Sequence, residues 1–314
     1  MLSSPRALSA ALVLGCLAGC GAGTASPDAG GSTDGGSDPL GGFTVTLVAA
    51  TQSAPAYTSI LGKVYGAAVP DATIWTVVEE GAGCRLLTPR VPFCNTPCGG
   101  TAACVDGDRC APYPSALNVG RVHVTGLGAA PFDMDPISGN YQPSAGVSLG
   151  YPPFHEGDAV VVAAPGGSLG AFSLSGHGIA PLVFTETPAP RTGQPLRLSW
   201  TPPAQPELGH IELKLDVSHH GGARGKIECE VADTGSLEIP ASQVTGLLGL
   251  GVAGFPTIVV SRVAAGRAGV AAGVVALRIV SSVERAVDIE GLRSCTADAE
   301  CPSGQRCQTD LSCK

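Results

Sequence analysis

The chain has 314 residues, 44% of them hydrophobic, 14% charged and 4% aromatic, with a formal net charge of −8. That apolar content excludes a wholly disordered chain, and an acidic balance with no basic stripe excludes nucleic acid as the expected partner. Its 44 glycines and 26 prolines argue for turns and against long helices, and its 12 cysteines argue for disulfides in an oxidising compartment.

At the N-terminus, residues 1–6 carry Arg6 and residues 7–17 are an apolar run too short to span a bilayer as a helix. Small residues, Ala18 and Gly19, stand before Cys20. The run Leu17-Ala18-Gly19-Cys20 resembles the bacterial lipoprotein signal. The resemblance implies that residues 1–19 are a signal peptide and that Cys20 becomes the lipidated first residue of the mature chain. Each buried CH₂ is worth about 0.8 kcal/mol, so a diacylglycerol with a further acyl chain would hold the protein to the membrane stably. Cys16 would leave with the signal, and Gly21 after Cys20, where an aspartate would favour inner-membrane retention, favours the outer membrane. Residues 20–42 are dominated by Gly, Ser, Thr, Ala, Asp and Pro, with Asp28, Asp34 and Asp38 as their charges. Such a segment buries too little apolar surface to offset chain entropy, so a disordered tether is expected.

From residue 43 onward, short β-type runs alternate with Gly/Pro clusters. Strands are expected at 43–48, 73–78, 121–125, 159–163, 169–174, 196–200, 210–217, 226–231, 257–263 and 274–280, and a short helix at 242–250. The stretch 210–217 alternates polar and apolar residues cleanly, as a half-buried strand does. The expected fold is all-β: an antiparallel β-sandwich-like body over 43–290, as one large unit or two sandwiches, with a disulfide-rich module at 291–314. A Pro-rich sub-boundary is expected near 187–195.

Cys94, Cys98, Cys104 and Cys110 form one cysteine cluster within 84–110, and Cys295, Cys301, Cys307 and Cys313 form another. Both contain Cys-x5-Cys-x5-Cys, a loose repeat, and both are too small to fold without covalent staples. Zinc is the competing use of such thiols, but neither cluster has close Cys-x2-Cys pairs. Cys84 and Cys229 remain and are expected to pair; the competing arrangement joins Cys84 to Cys94 and gives Cys229 a different cluster cysteine.

Beyond the lipidation signal, Gly83-Cys84-Arg85-Leu86-Leu87, Pro92-Phe93-Cys94, Cys98-Gly99-Gly100, Cys104-Val105-Asp106, Cys110-Ala111-Pro112-Tyr113-Pro114 and the segment 227–236 resemble a group of cysteine-rich lipoproteins of myxobacterial type. The resemblance runs over most of the mature chain. It implies a surface or periplasmic lipoprotein and lends no activity. The tail from Cys295 to Cys313 is similar to small cysteine-rich modules appended to secreted proteins of the same bacteria.

Five features invite chemistry. Asp233-Thr234-Gly235-Ser236 matches the aspartic-protease signature, which needs a second carboxylate about 3 Å away sharing a proton. Ser148 and Ser168 each sit in Gly-x-Ser-x-Gly, but a nucleophile elbow needs a helix after the serine, and 163–170 reads as a hairpin turn. Gly249-Leu250-Gly251-Val252-Ala253-Gly254 is followed by a strand, the wrong order for a dinucleotide site. Asp133 and Asp135 hint at a calcium loop without its closing glutamate, and adjacent His219 and His220 are poorly placed to chelate. No catalytic, cofactor-binding or metal-ligating residue is assigned. The expected role is binding or structural, with an envelope protein or glycan as partner and a secreted-type hydrolase, through Asp233 or a serine, as the alternative.

Overall fold

The computed structural model describes residues 39–51, 54–128 and 130–314. The expected signal peptide 1–19, the expected lipidation site Cys20 and nearly all of the segment read as a tether lie outside them. Gly41 and Gly42, read from sequence as tether, instead open the first strand.

In chain order the strands are β1 (Gly41–Val48), β2 (Tyr57–Val64), β3 (Ile74–Gly81), β4 (Cys84–Arg90), β5 (Ala102–Val105), β6 (Arg109–Pro112), β7 (Val122–Thr125), β8 (Phe132–Met134) and β9 (Asn140–Tyr141). There follow β10 (Ala159–Ala164), β11 (Phe172–His177), β12 (Leu196–Ser199), β13 (His210–Asp216), β14 (Lys226–Ala232), β15 (Ser236–Ile239), the helix α1 (Ala241–Gly249), β16 (Thr257–Val270) and β17 (Gly273–Ala286). The protein is mostly β, as the succession of short β-type runs between Gly/Pro clusters leads one to expect. Nine strands form one sheet in the order β3-β4-β14-β13-β16-β17-β1-β2-β9. Pairing is antiparallel except between β1 and β17, which run parallel. A second layer covers one face only. It consists of the four-stranded sheet β11-β10-β7-β8 over one half, and the pair β12-β15 with α1 over the other.

The long hairpin β16–β17 is the spine. Its 14-residue strands run through two separate hydrophobic cores. Ala264, Val275, Leu277 and Ile279 pack with Phe43, Val45, Val124, Val162 and Leu174 in the first. Ile258, Val260 and Val283 pack with Ile211, Leu215, Ile227, Trp200 and Leu247 in the second. So the sequence alternatives of one unit and two sandwiches merge: the second layer is split, while the main sheet is continuous. The chain passes from the first core to the second between Ile179 and Leu182; segment 187–195 lies within the second half, where Gly193 N donates to Thr245 Oγ1 of α1 and Pro188 O accepts from Asp288 N, and it does not interrupt the sheet. Layer spacing falls where β16 crosses β11: a Cβ at Gly266 would lie 2.0 Å from Ser175 O, so only glycine fits.

Two disulfide-stapled modules hang on this body. Cys94 bonds Cys104 and Cys98 bonds Cys110; Cys295 bonds Cys307 and Cys301 bonds Cys313. Both therefore join first to third and second to fourth cysteine, and in both the last two cysteines face each other across a bridge. Cys84 bonds Cys229 from the facing positions of β4 and β14. The tail module docks through Gly254 N, which donates to Asp310 O at 2.8 Å, and Ser294 Oγ, which donates to Gly254 O.

Candidate binding face

Because the second layer covers one side of the main sheet, the opposite side is open. Period-2 alternation assigns its residues directly. On β16 and β17 these are Val259, Ser261, Val263, Ala265 and Arg267 facing Glu284, Ser282, Val280, Arg278 and Ala276, with Val263 itself buried beneath its neighbours. On β13 they are His210, Glu212 and Lys214; on β14, Glu228 and Glu230; on β1, Gly42, Thr44 and Thr46; on β2, Ser59, Leu61 and Lys63.

This face is electrically divided. On the β4-β14-β13 side, Arg85, Lys214, Glu212, Glu228 and Glu230 line a depression of about 390 Å³. At the middle, Arg278 Nη2 donates to Glu212 Oε2 at 2.6 Å, and His210 Nε2 lies 3.3 Å from Glu212 Oε1. Hydrogen bonding from His210 first, then from Arg278, holds the Glu212 carboxyl down at about 2, against an ordinary 4.5, despite partial burial that pushes the other way. A depressed carboxylate contributes stability above its unfolded pKa, and that contribution is lost as pH falls through the folded value. Glu212→Gln is therefore expected to separate from the parent in urea-unfolding midpoint above pH 4.5 and to converge with it on acidification towards pH 2. A constant offset across that range would contradict the assignment.

On the β17-β1-β2 side the open face holds a larger trough, about 710 Å³, lined among others by Gly42, Thr44, Thr46, Leu61, Lys63, Gln142, Ala276 and Arg278. Its floor is low because β1 and β17 approach closely: a Cβ at Gly42 would sit 1.8 Å from Ala276 O.

The residues singled out by motif are elsewhere. Asp233 is buried on the covered side, 1% exposed, and bonded to Arg262 Nε at 2.5 Å and Trp200 Nε1 at 2.7 Å. A carboxylate committed to a guanidinium is not half of a proton-sharing dyad. Arg262 also donates to the carbonyls of Ala180, Pro181 and Thr201. It stands on β16 between Val260 of one core and Ala264 of the other, so the pair plugs the seam where the second layer changes halves. Ser168 lies in a 3-10 turn (Gly167–Leu169) between β10 and β11, and Ser148 in an exposed loop; neither hydroxyl has a hydrogen-bond partner among the described residues. Asp133 and Asp135 are taken up by His123 at 2.7 Å and Arg121 at 2.8 Å. His219 and His220 fall in a turn after β13, not on a strand, with ring centroids 3.9 Å apart. The cluster sulfurs that suggested zinc are joined as disulfides. Among the described residues no helix is long and apolar enough to cross a membrane.

Sequence reasoning missed Lys63, Arg267 and Arg278 as a group. No protein-family model matches the chain, and a search of curated proteins finds no match.

Proposed function

We propose that this is a lipid-anchored protein of the bacterial cell envelope, held by acyl chains on Cys20, that works by binding, with the open face of its main sheet as the contact surface. The supporting observation is the one-sided layering. Both hydrophobic cores lie on one side of the nine-stranded sheet, while the other side presents a trough and polar side chains to solvent. A face left open at this length, bearing hydroxyl and charged groups, suits recognition of an external partner. The lipobox supplies the anchor and the outer membrane is the proposed site.

Two experiments test the two parts. Labelled palmitate is expected in the parent protein and not in Cys20→Ala; label retained in the variant would remove the anchor. For the face, Thr46→Trp and Ser282→Trp are expected to weaken retention of the soluble chain on envelope fragments. Ser173→Trp, on the exposed side of the second layer, is expected to leave it unchanged. Equal retention in all three would reject the open face as the contact surface.

A further inference from the structure

The trough has a charge pattern that its host lacks. Lys63, Gly42, Ala276 and Arg267 are register partners across β2, β1, β17 and β16, so they form one row on the open face. The row places cations at both ends and the two smallest side chains between them. Three inter-strand spacings separate its ends by about 14 Å. Arg278 adds a third cation from the next row, beside Thr44. Neither Lys63 nor Arg267 has an ion pair among the described residues, and Glu212 occupies one nitrogen of Arg278 and leaves the rest of the guanidinium open. None of β1, β2 or the part of β16–β17 beside the trough contributes a carboxylate to this face. In a chain of net charge −8, Lys63 and Arg278 lining the trough and Arg267 at the far end of the same row, with no carboxylate from the neighbouring strands, form a seat for an anion.

The remaining groups narrow the ligand. The hydroxyls of Thr44 and Thr46 and the amide of Gln142 line the trough and have no hydrogen-bond partner among the described residues. These groups both donate and accept, as sugar hydroxyls require. A peptide added as a strand would need free backbone groups. The floor strands β1 and β17 are each paired on both sides, so their backbones are already committed. Recognition here must run through side chains. We infer that the trough binds a carboxylate-bearing glycan, a polyuronate chain lying between Lys63 and Arg267 with its acid groups on these cations and Arg278. This rests on the proposed reading of the open face as the contact surface.

The test is binding of the full chain to polygalacturonate by calorimetry, with neutral dextran and poly-glutamate as parallel probes. Polygalacturonate is expected to bind, with an affinity that falls as salt rises. Dextran and poly-glutamate are expected to bind at least tenfold more weakly, and the double variant Lys63→Gln/Arg267→Gln to lose about tenfold. Both side chains are exposed, so the variant should fold like the parent. No binding of polygalacturonate at low salt, equal binding of either control polymer, or full binding by the double variant would overturn the inference. If tryptophan at Thr46 still releases the chain from envelope fragments, such a failure removes the glycan and leaves the face.

Discussion

Asp233→Ala is expected to cost about 3–5 kcal/mol of unfolding free energy, among the largest effects of any single substitution in this chain. The reason is the neighbourhood of Arg262. Its side chain is 2% exposed, and its guanidinium reaches the carbonyls of Ala180, Pro181 and Thr201 besides the Asp233 carboxylate. Removing the carboxylate strands a buried cation and also orphans Trp200 Nε1, whose hydrogen goes, among the described residues, only to Asp233 Oδ1. Replacing both members with apolar residues, Asp233→Leu with Arg262→Met, should cost less than Asp233→Ala, because no unpaired charge remains. Urea unfolding by tryptophan fluorescence reads both, since Trp200 sits in the cluster. A loss below about 1 kcal/mol for Asp233→Ala, the range of an exposed pair, would mean that the plug does not hold the seam.

Loss of the Cys84–Cys229 bond is the second large effect. The bond closes 145 residues, and the chain-entropy relation gives about 5 kcal/mol for a loop of that length. The four remaining bonds close 10 to 12 residues each, for which the same relation gives about 3 kcal/mol. Cys84→Ala/Cys229→Ala should therefore lower the unfolding midpoint more than Cys301→Ala/Cys313→Ala does. It should do so cooperatively, since both cysteines lie in the second core with Leu86 and Ile227. The opposite ranking, read by calorimetric melting under oxidising conditions, would show that the long bond adds nothing to what the sheet already fixes.

Much of the fold was readable because short apolar runs between Gly/Pro clusters have a single use. The strand β13 declares itself through Ile211, Leu213 and Leu215 on one side and Glu212 and Lys214 on the other. The spine hairpin was read at half its length for a physical reason. Beyond Val260, the covered positions of β16 are Arg262, Ala264, Gly266 and Ala268. They are a buried cation and then small residues under a close-packed second layer, so the apolar alternation that marks a strand disappears. The strand β2 escaped notice with Gly62 in its interior, and β4 with Pro89. Asp233 was visible as a motif but its role was not. The signal that could have found it was Arg262, a charge at a position where Ile258 and Val260 predict an apolar side chain.

The candidate site was the least legible part. Lys63 and Arg267 are separated by some two hundred residues and fall in one row because β1 pairs in parallel with β17. Parallel pairing across such a separation leaves no local trace; each cation alone reads as an ordinary exposed residue on a strand. What composition could say was only that a chain this poor in charge would notice any local concentration of it.

The most direct test of the open face as the contact surface is site-specific photo-crosslinking in intact envelopes. Photoreactive residues at Thr44 and Thr46, beside the trough, and at Ser173 and Ser175, on the exposed side of the second layer, sample the two faces of the same body. Adducts are expected from Thr44 and Thr46 and none from Ser173 or Ser175. Adducts confined to Ser173 and Ser175 would contradict it.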